Sequence, residues 1–292
     1  HIFASSLWQF GHPYELVYGM PGDEGFEKEL DAALHVAYAT QRIRTCKVGL
    51  IGYVAPGFVN MQSDAQSLKR KMGVQMQHFG LNELLERMEQ LGEDQIQEDI
   101  EQVNQLNLPV KDIEPEQLEI NSKYYLALNQ IREENDLDAL AVRCWPELPN
   151  LTGQWAYLAF TRILTEGNII ACEGDIDGAV AALIGKLMGF GVSYNTDWLE
   201  HDEATITAWH TGNAPRQLLE PAGSEFGPTI ARHFNDKKPV VVEGTLKPQQ
   251  DVTLARLWRC DDQYHMVGFE GQTIKPKRHL KGNNGLVQTD GL

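Results

Sequence analysis

Long apolar runs are missing from this sequence. None of its 292 residues falls in a stretch of eighteen consecutive apolar side chains, the length that would begin to read as a membrane-crossing helix. The N-terminus also lacks the basic, apolar and small-residue order of a secretory leader. A soluble, cytoplasmic protein is expected. Basic charge is scarce: 25 Lys plus Arg face 41 Asp plus Glu, and the formal charge of -16 repels polyanions. The longest basic cluster, Lys275, Lys277, Arg278 and Lys281, is interrupted by Pro276 and carries none of the interleaved aromatics of a strand-binding groove. Neither nucleic acid nor membrane is an expected partner. Cysteine is sparse, and Cys46, Cys144, Cys172 and Cys260 stand far apart without CxxC or Cys/His ligand spacing, so they read as reduced core thiols. GxSxG, Walker, strand-following GxGxxG and HExxH patterns are all missing, which argues against serine hydrolase, P-loop, dinucleotide and zincin chemistry.

What is present is enough chain for one large domain or two of ordinary size. The first half alternates short apolar runs with amphipathic stretches, the pattern of crossover units around a parallel sheet. Residues Ile2 to Trp8 read as a strand and Phe26 to Arg44 as a helix. Lys47 to Tyr53 follows as a buried strand, Asp64 to Met72 as a helix, Val74 to Phe79 as a strand and Leu81 to Leu91 as a helix. From Glu83 to Glu119 twelve carboxylates accompany two bases, with apolar residues every three or four positions, which describes a solvated helical pair without chemistry. Strands are expected again at Asp138 to Cys144 and Asn168 to Cys172, then a helix at Ala179 to Met188. A further strand is expected to start at Gly189 and reach Asp197. After His210 the texture changes to VVVEGTL, VTLARLWRC and YHMVGFEG, alternating runs between turn residues that read as an antiparallel, barrel-like sheet. The expected class is α/β, with a Rossmann-like parallel-sheet domain over residues 1–190 and a β-rich domain over 191–292.

Ligands bind beyond the carboxyl ends of strands in an open parallel sheet. Glu147, Glu173 and Asp197 each follow an expected strand, and the 24 residues from Glu173 to Asp197 allow one helix and a returning strand between them. Two such carboxylates suit a divalent cation or shared acid and base work. Each residue also has a purely structural reading. Asp175 and Asp177 suit helix capping, Glu173 favours a positive helix end, and Asp197 in Asn195-Thr-Asp suits a turn. His210, at a strand end before Thr211-Gly212-Asn213, is either a polar surface residue or a nitrogen donor completing a set suited to Mn²⁺. His35, His78, His233, His265 and His279 have no partner at ligand spacing, although His265 would point inward if the sheet closed into a barrel.

At these positions the sequence resembles the L-fucose isomerase and L-arabinose isomerase superfamily. The matching pieces are Arg143-Cys-Trp-Pro-Glu-Leu-Pro, Ala171-Cys-Glu-Gly-Asp-Ile-Asp-Gly-Ala, Asp197, and His210 in Ala-Trp-His-Thr-Gly-Asn. The resemblance implies a metal-dependent aldose-ketose isomerase acting on a fucose- or arabinose-like sugar through an enediol, with Mn²⁺ as the metal and a hexameric homo-oligomer as the assembly. It makes Glu173 and Asp197 both metal ligands and the acid/base pair, adds His210 as a further ligand, and gives Trp145, Glu147 and Asn213 sugar contacts. Family members carry a preceding α/β domain and a late histidine ligand. The start at His1 and the end at Gln288-Thr-Asp-Gly-Leu therefore suggest truncation at both ends, and a nearly inactive fragment is expected. Two other readings remain: a noncatalytic sugar-binding module, and a metal-assisted hydrolase or lyase acting on a carbohydrate with the same carboxylates.

Overall fold

Four short segments form the first sheet: β1 (Lys47–Ile51), β2 (Gln75–Phe79), β3 (Ala139–Val142) and β4 (Ile169–Ala171). Their order is β2-β1-β3-β4, and every neighbour is parallel. All of β3 and β4 is buried, which is why these strands read as continuous apolar runs rather than as alternating ones. The computed structural model describes residues 2–289; His1 and residues 290–292, which contributed to the expectation about the chain ends, lie outside the described residues.

Nine helices accompany the sheet among the described residues: α1 (Ile2–Gln9), α2 (Glu24–Ile43), α3 (Ala65–Met72), α4 (Leu81–Gln90), α5 (Glu93–Gln105), α6 (Pro115–Glu134), α7 (Glu147–Leu151), α8 (Tyr157–Thr165) and α9 (Ile176–Leu187). Their ends follow local chemistry. Asp64 accepts from Ser67 N at 2.7 Å to start α3, which stops at left-handed Gly73, and Pro115 opens α6. The acidic stretch forms α4, α5 and the start of α6, and its apolar residues Leu84, Met88, Ile96 and Val103 turn inward. Asp99 departs from the solvated-surface reading because it is buried on α5 against Arg162 of α8.

The second sheet contains β5 (Asp197–His201), β6 (Thr205–His210), β7 (Thr229–Arg232), β8 (Pro239–Thr245), β9 (Asp251–Cys260), β10 (Gln263–Ile274) and β11 (Asn283–Gln288). Its path is β5-β6-β11-β10-β9, antiparallel at every step, while β8 joins β11 in parallel and carries β7 on its other side. The chain is thus α/β with a parallel sheet followed by a mainly antiparallel one. The two sheets share their cores. Ala231 and Val241 pack with the residues around β3 and α8, Leu257 packs with those around β1 and α9, and Leu158 and Val103 pack with Ile230 and Val240.

Several expectations are corrected. Ile2 to Trp8 is helical rather than extended: no strand lies beside it, so its backbone groups satisfy one another locally. No strand occupies 190–196, and Asp197 opens β5 of the second sheet, opposite Trp209, instead of ending a parallel strand. The pairing that fixes it is a hairpin with β6, which an apolar run from Gly189 does not reveal. Cys46, Cys144 and Cys172 are buried free thiols, but Cys260 is exposed at the end of β9. His265 lies exposed on the β9–β10 hairpin, stacked on Trp258 at 5.5 Å, and does not point inward.

Candidate active site

Because the first sheet is wholly parallel, the loops after β1, β3 and β4 emerge on one edge. Strand β2 lies on one side of β1, and β3 and β4 on the other. The chain reverses its direction across the sheet between β1 and β3, and such a switch point opens a crevice at the carboxyl edge.

Glu173 stands in the turn Cys172–Gly174 directly after β4, with φ of 64° at Glu173 and 75° at Gly174. A side chain at 174 would overlap the carbonyl oxygen of Tyr53, and Ala55 N donates to Glu173 O at 2.9 Å. Glycine at 174 therefore lets this turn press against the loop that follows β1. A left-handed glutamate costs about 1 kcal/mol or more, and such local strain concentrates where a side chain must be aimed.

The Glu173 carboxylate accepts from Trp145 Nε1 at 3.0 Å. Burial raises its pKa above the ordinary carboxylate value. The indole hydrogen bond opposes that rise, and the negative charges of Asp197 and Asp175 add to it. Among the described residues Glu173 makes no ion pair. Asp197 retains solvent exposure, yet the walls around its carboxyl also raise its pKa by desolvation. The fold thus brings Glu173 and Asp197 within electrostatic reach, across two different sheets.

The neighbouring acids are occupied. Asp175 caps α9 by accepting from Gly178 N at 2.9 Å and is paired with Arg256 of β9. Asp177 accepts from Ser63 Oγ at 2.7 Å. Glu147 takes Arg143 Nε at 2.7 Å and Nη2 at 2.5 Å on its two oxygens, and this pairing holds its carboxyl below the usual range. Arg143 also donates to Val54 O at 3.1 Å, so the Arg143–Glu147 clamp braces the loop after β1.

His210 and Asn213 lie in the buried layer. The His210 ring is edge-on to Tyr157 at 5.7 Å and to Tyr194 at 6.5 Å, and burial pushes its pKa down to about 4. It is a neutral imidazole at physiological pH. Asn213 is fully buried and donates to Cys172 Sγ at 3.1 Å. Among the described residues no group of three or more His, Cys, Asp or Glu side chains is arranged to hold a metal ion. Glu173 and Asp197 are within electrostatic reach of each other; His210 does not join them in a metal-holding cluster among the described residues. Two carboxylates that make no ion pair among the described residues, one of them held by a single indole N–H, supply part of the oxygen donor set of a divalent ion.

Sequence reasoning missed the floor of this site. Cys144 and Cys172 each follow a buried strand and immediately precede Trp145 and Glu173; Cys144 Sγ accepts from Glu173 N at 3.4 Å and lies 3.6 Å from the Tyr157 hydroxyl. The signal lay in their position at adjacent strand ends, which the lack of metal-ligand spacing obscured.

Glu173 at the switch edge of the parallel sheet and Asp197 on the second sheet form an acidic pair within electrostatic reach. Comparison with known proteins places the chain beside sugar isomerases: residues 60–191 match the L-arabinose isomerase central domain. The chain is 25% identical over 282 residues to sulfoquinovose isomerase of Priestia aryabhattai, covering 95% of this chain and 62% of that protein. It is 25% identical over 297 residues to sulfoquinovose isomerase of Alkalicoccus urumqiensis, covering 99% and 64%. It is 24% identical over 223 residues to L-arabinose isomerase of Thermotoga neapolitana, covering 75% and 43%. The chain thus spans less than two thirds of the length of these relatives. The matches favour the arabinose-isomerase side of the resemblance. The central-domain match contains Trp145, Glu147 and Glu173 and ends before Asp197, His210 and Asn213. No helix among the described residues is long and apolar enough to cross a membrane.

Proposed function

We propose that this chain carries the acid/base carboxylates of a divalent-metal-dependent aldose-ketose isomerase, with Glu173 and Asp197 as the reacting pair. The observation that carries the reading is a desolvated Glu173 carboxylate held by one indole N–H and within electrostatic reach of Asp197, although one residue follows a parallel strand and the other opens an antiparallel one. Relatives named for sulfoquinovose and L-arabinose point to an aldose of one of those kinds as substrate.

Isomerisation removes a proton from the carbon beside the carbonyl and returns it to the former carbonyl carbon, through an enediol. A carboxylate of raised pKa is suited to both halves, because it accepts a proton more readily than an ordinary carboxylate and can still return it. Glu173, oriented by Trp145, is assigned this transfer, while Asp197 on the solvent side serves the exchange of protons between the sugar oxygens. A divalent ion such as Mn²⁺, held by these two carboxylates, supplies polarisation of the carbonyl and hydroxyl oxygens. Glu147 keeps the crevice wall in place through Arg143 rather than holding sugar. The homo-oligomer implied by the resemblance is supported by α1, which buries none of its residues and exposes Ile2, Phe3 and Trp8.

The test is an isomerase assay of the full-length protein on sulfoquinovose and L-arabinose in deuterated water, with Mn²⁺ and after chelation. Metal-dependent ketose formation is expected, with deuterium at C1 of the ketose, and at C2 of aldose recovered by reversal, for the share of protons that exchange with solvent. Neither ketose formation nor exchange with either aldose, despite tight sugar binding, would instead establish a binding module, and a product of different elemental composition in ordinary water would establish a hydrolase or lyase.

A further inference from the structure

Two consecutive residues at the end of β3 grip a single residue at the end of β4. Cys144 Sγ accepts the backbone N–H of Glu173 at 3.4 Å, and Trp145 Nε1 donates to Glu173 Oε1 at 3.0 Å. The first contact holds the left-handed turn; the second holds the carboxylate. The indole is itself fixed. It is half-buried, meets the ring of Phe58 edge-on at 6.0 Å, and sits between Arg143 and Glu147, which clamp each other. A carboxylate has two oxygens, and the indole N–H occupies only one of them. The other is left for a ligand.

We infer that Trp145 is the positioning residue of Glu173, its indole N–H holding Oε1 so that Oε2 is kept in one orientation. This differs from the sugar-facing role that the family resemblance gives Trp145, because here the polar end of the indole is spent on the protein's own carboxylate. The inference rests on the reading of Glu173 as the acid/base and metal-binding carboxylate. Outer-shell hydrogen bonds that orient a ligating side chain commonly change metal affinity or activity 10- to 100-fold when removed.

The test uses the full-length protein and four variants, with Glu173→Ala kept for the spectroscopic arm. Trp145→Phe keeps a ring and removes the donor; Trp145→His restores a ring N–H with shorter reach; Glu173→Gln tests the underlying reading. In Trp145→Phe the Mn²⁺ dissociation constant, measured by calorimetry, is expected to rise about 10-fold or more. Turnover should fall while the sugar KM changes by less than about twofold, and Trp145→His should recover part of both losses. Unchanged Mn²⁺ affinity and turnover in a folded Trp145→Phe protein would overturn the inference, as would a rise in KM alone, which marks a sugar wall. Should Trp145→Phe fail to fold, the wild-type indole N–H proton signal serves instead. It is expected to shift upfield in Glu173→Ala, and an unmoved signal overturns the inference. Full turnover in Glu173→Gln would refute the functional reading separately, leaving the indole signal to decide the contact itself.

Discussion

Two places in this molecule withdraw carboxylates from water, and they handle the charge in opposite ways. On α5, Asp99 receives Arg162 Nη1 at 2.7 Å and Nη2 at 2.6 Å, so each of its oxygens meets a cationic N–H. The same guanidinium lies 3.6 Å from the centre of the Tyr125 ring. At the sheet edge, Glu173 has a single indole N–H and two negative neighbours. The first arrangement is closed: every strong acceptor is matched, and nothing is left to bind. The second is left incomplete, with desolvated charge that only an added cation or proton can offset. Glu147 sharpens the point, since it stands on the same edge but is filled by Arg143 and therefore behaves like Asp99. Sequence places Glu147 and Glu173 alike after buried strands. Charge compensation separates them.

The largest effect expected from this contrast is on turnover. Glu173→Gln keeps the shape and the acceptor for Trp145 but removes the base, and a loss of roughly 10³-fold or more in kcat is expected from steady-state assays. Glu147→Gln, by comparison, should act through stability of the loop after β1 and leave residual turnover far higher. Next comes the closed pair. Asp99→Ala leaves Arg162 buried without its partner, and denaturant unfolding should show a loss of about 3–5 kcal/mol. Replacing both together, Asp99→Leu with Arg162→Met, should restore much of that loss, because two apolar side chains no longer strand a charge. If the double variant is as unstable as the single one, Asp99 and Arg162 do more than neutralise each other.

Binding should reverse the contrast at the open site. Added Mn²⁺ is expected to raise the melting temperature of the wild-type protein, by an increment worth about 2.7 kcal/mol at a free concentration 100 times the dissociation constant. The increment should shrink in Glu173→Gln and Asp197→Asn and persist in Asp99→Asn, if that variant folds. Calorimetric scans with and without chelator read this directly. An equal increment in all of them would place the metal elsewhere.

Much of this was legible beforehand. The buried strands at Lys47, Ala139 and Ile169 announced themselves as apolar runs closed by Gly, Pro or acidic turns, and those runs set Trp145 and Glu173 on one edge. The helix cap at Asp175 was an equally local signal. What escaped was long-range. Asp197 belongs to a hairpin whose partner strand ends at His210, and the segment from Gly189 contains no mark of that pairing. His210 alternates inward on β6 toward Tyr157 and Tyr194, so its burial depends on rings contributed by two distant segments. The helix at Ile2–Gln9 has an apolar composition that also suits a strand; only the lack of a neighbouring strand decides it. Asp99 was one acid among twelve, and its single distinguishing feature, Arg162, lies on another helix.

The smallest effect tests whether the open pair costs stability in the absence of metal. Glu173 and Asp197 both have pKa values raised above their ordinary ones, with desolvation as the leading cause. A raised native pKa means that the native state holds the proton more tightly than the unfolded chain does. Between the unfolded value, about 4 for carboxylates, and the raised native value, the native state binds more protons, so stability falls as pH rises through that window. Above the window the full penalty is present, and below it none remains. Asp197→Asn and Glu173→Gln should therefore melt a few degrees above the metal-free wild type at neutral pH. Their advantage should fade as the pH drops toward 4. Asp197 keeps contact with solvent, so its gain should be the smaller of the two. Glu147→Gln should show the opposite sign, since Arg143 lowers its carboxyl and the ionised form is the one the fold favours. Scans of the three variants at several pH values between 4 and 8, with chelator present, decide the matter. A loss of stability in both Glu173→Gln and Asp197→Asn at neutral pH would mean that these carboxylates are satisfied within the protein, and the distinction between the closed and open sites would fail.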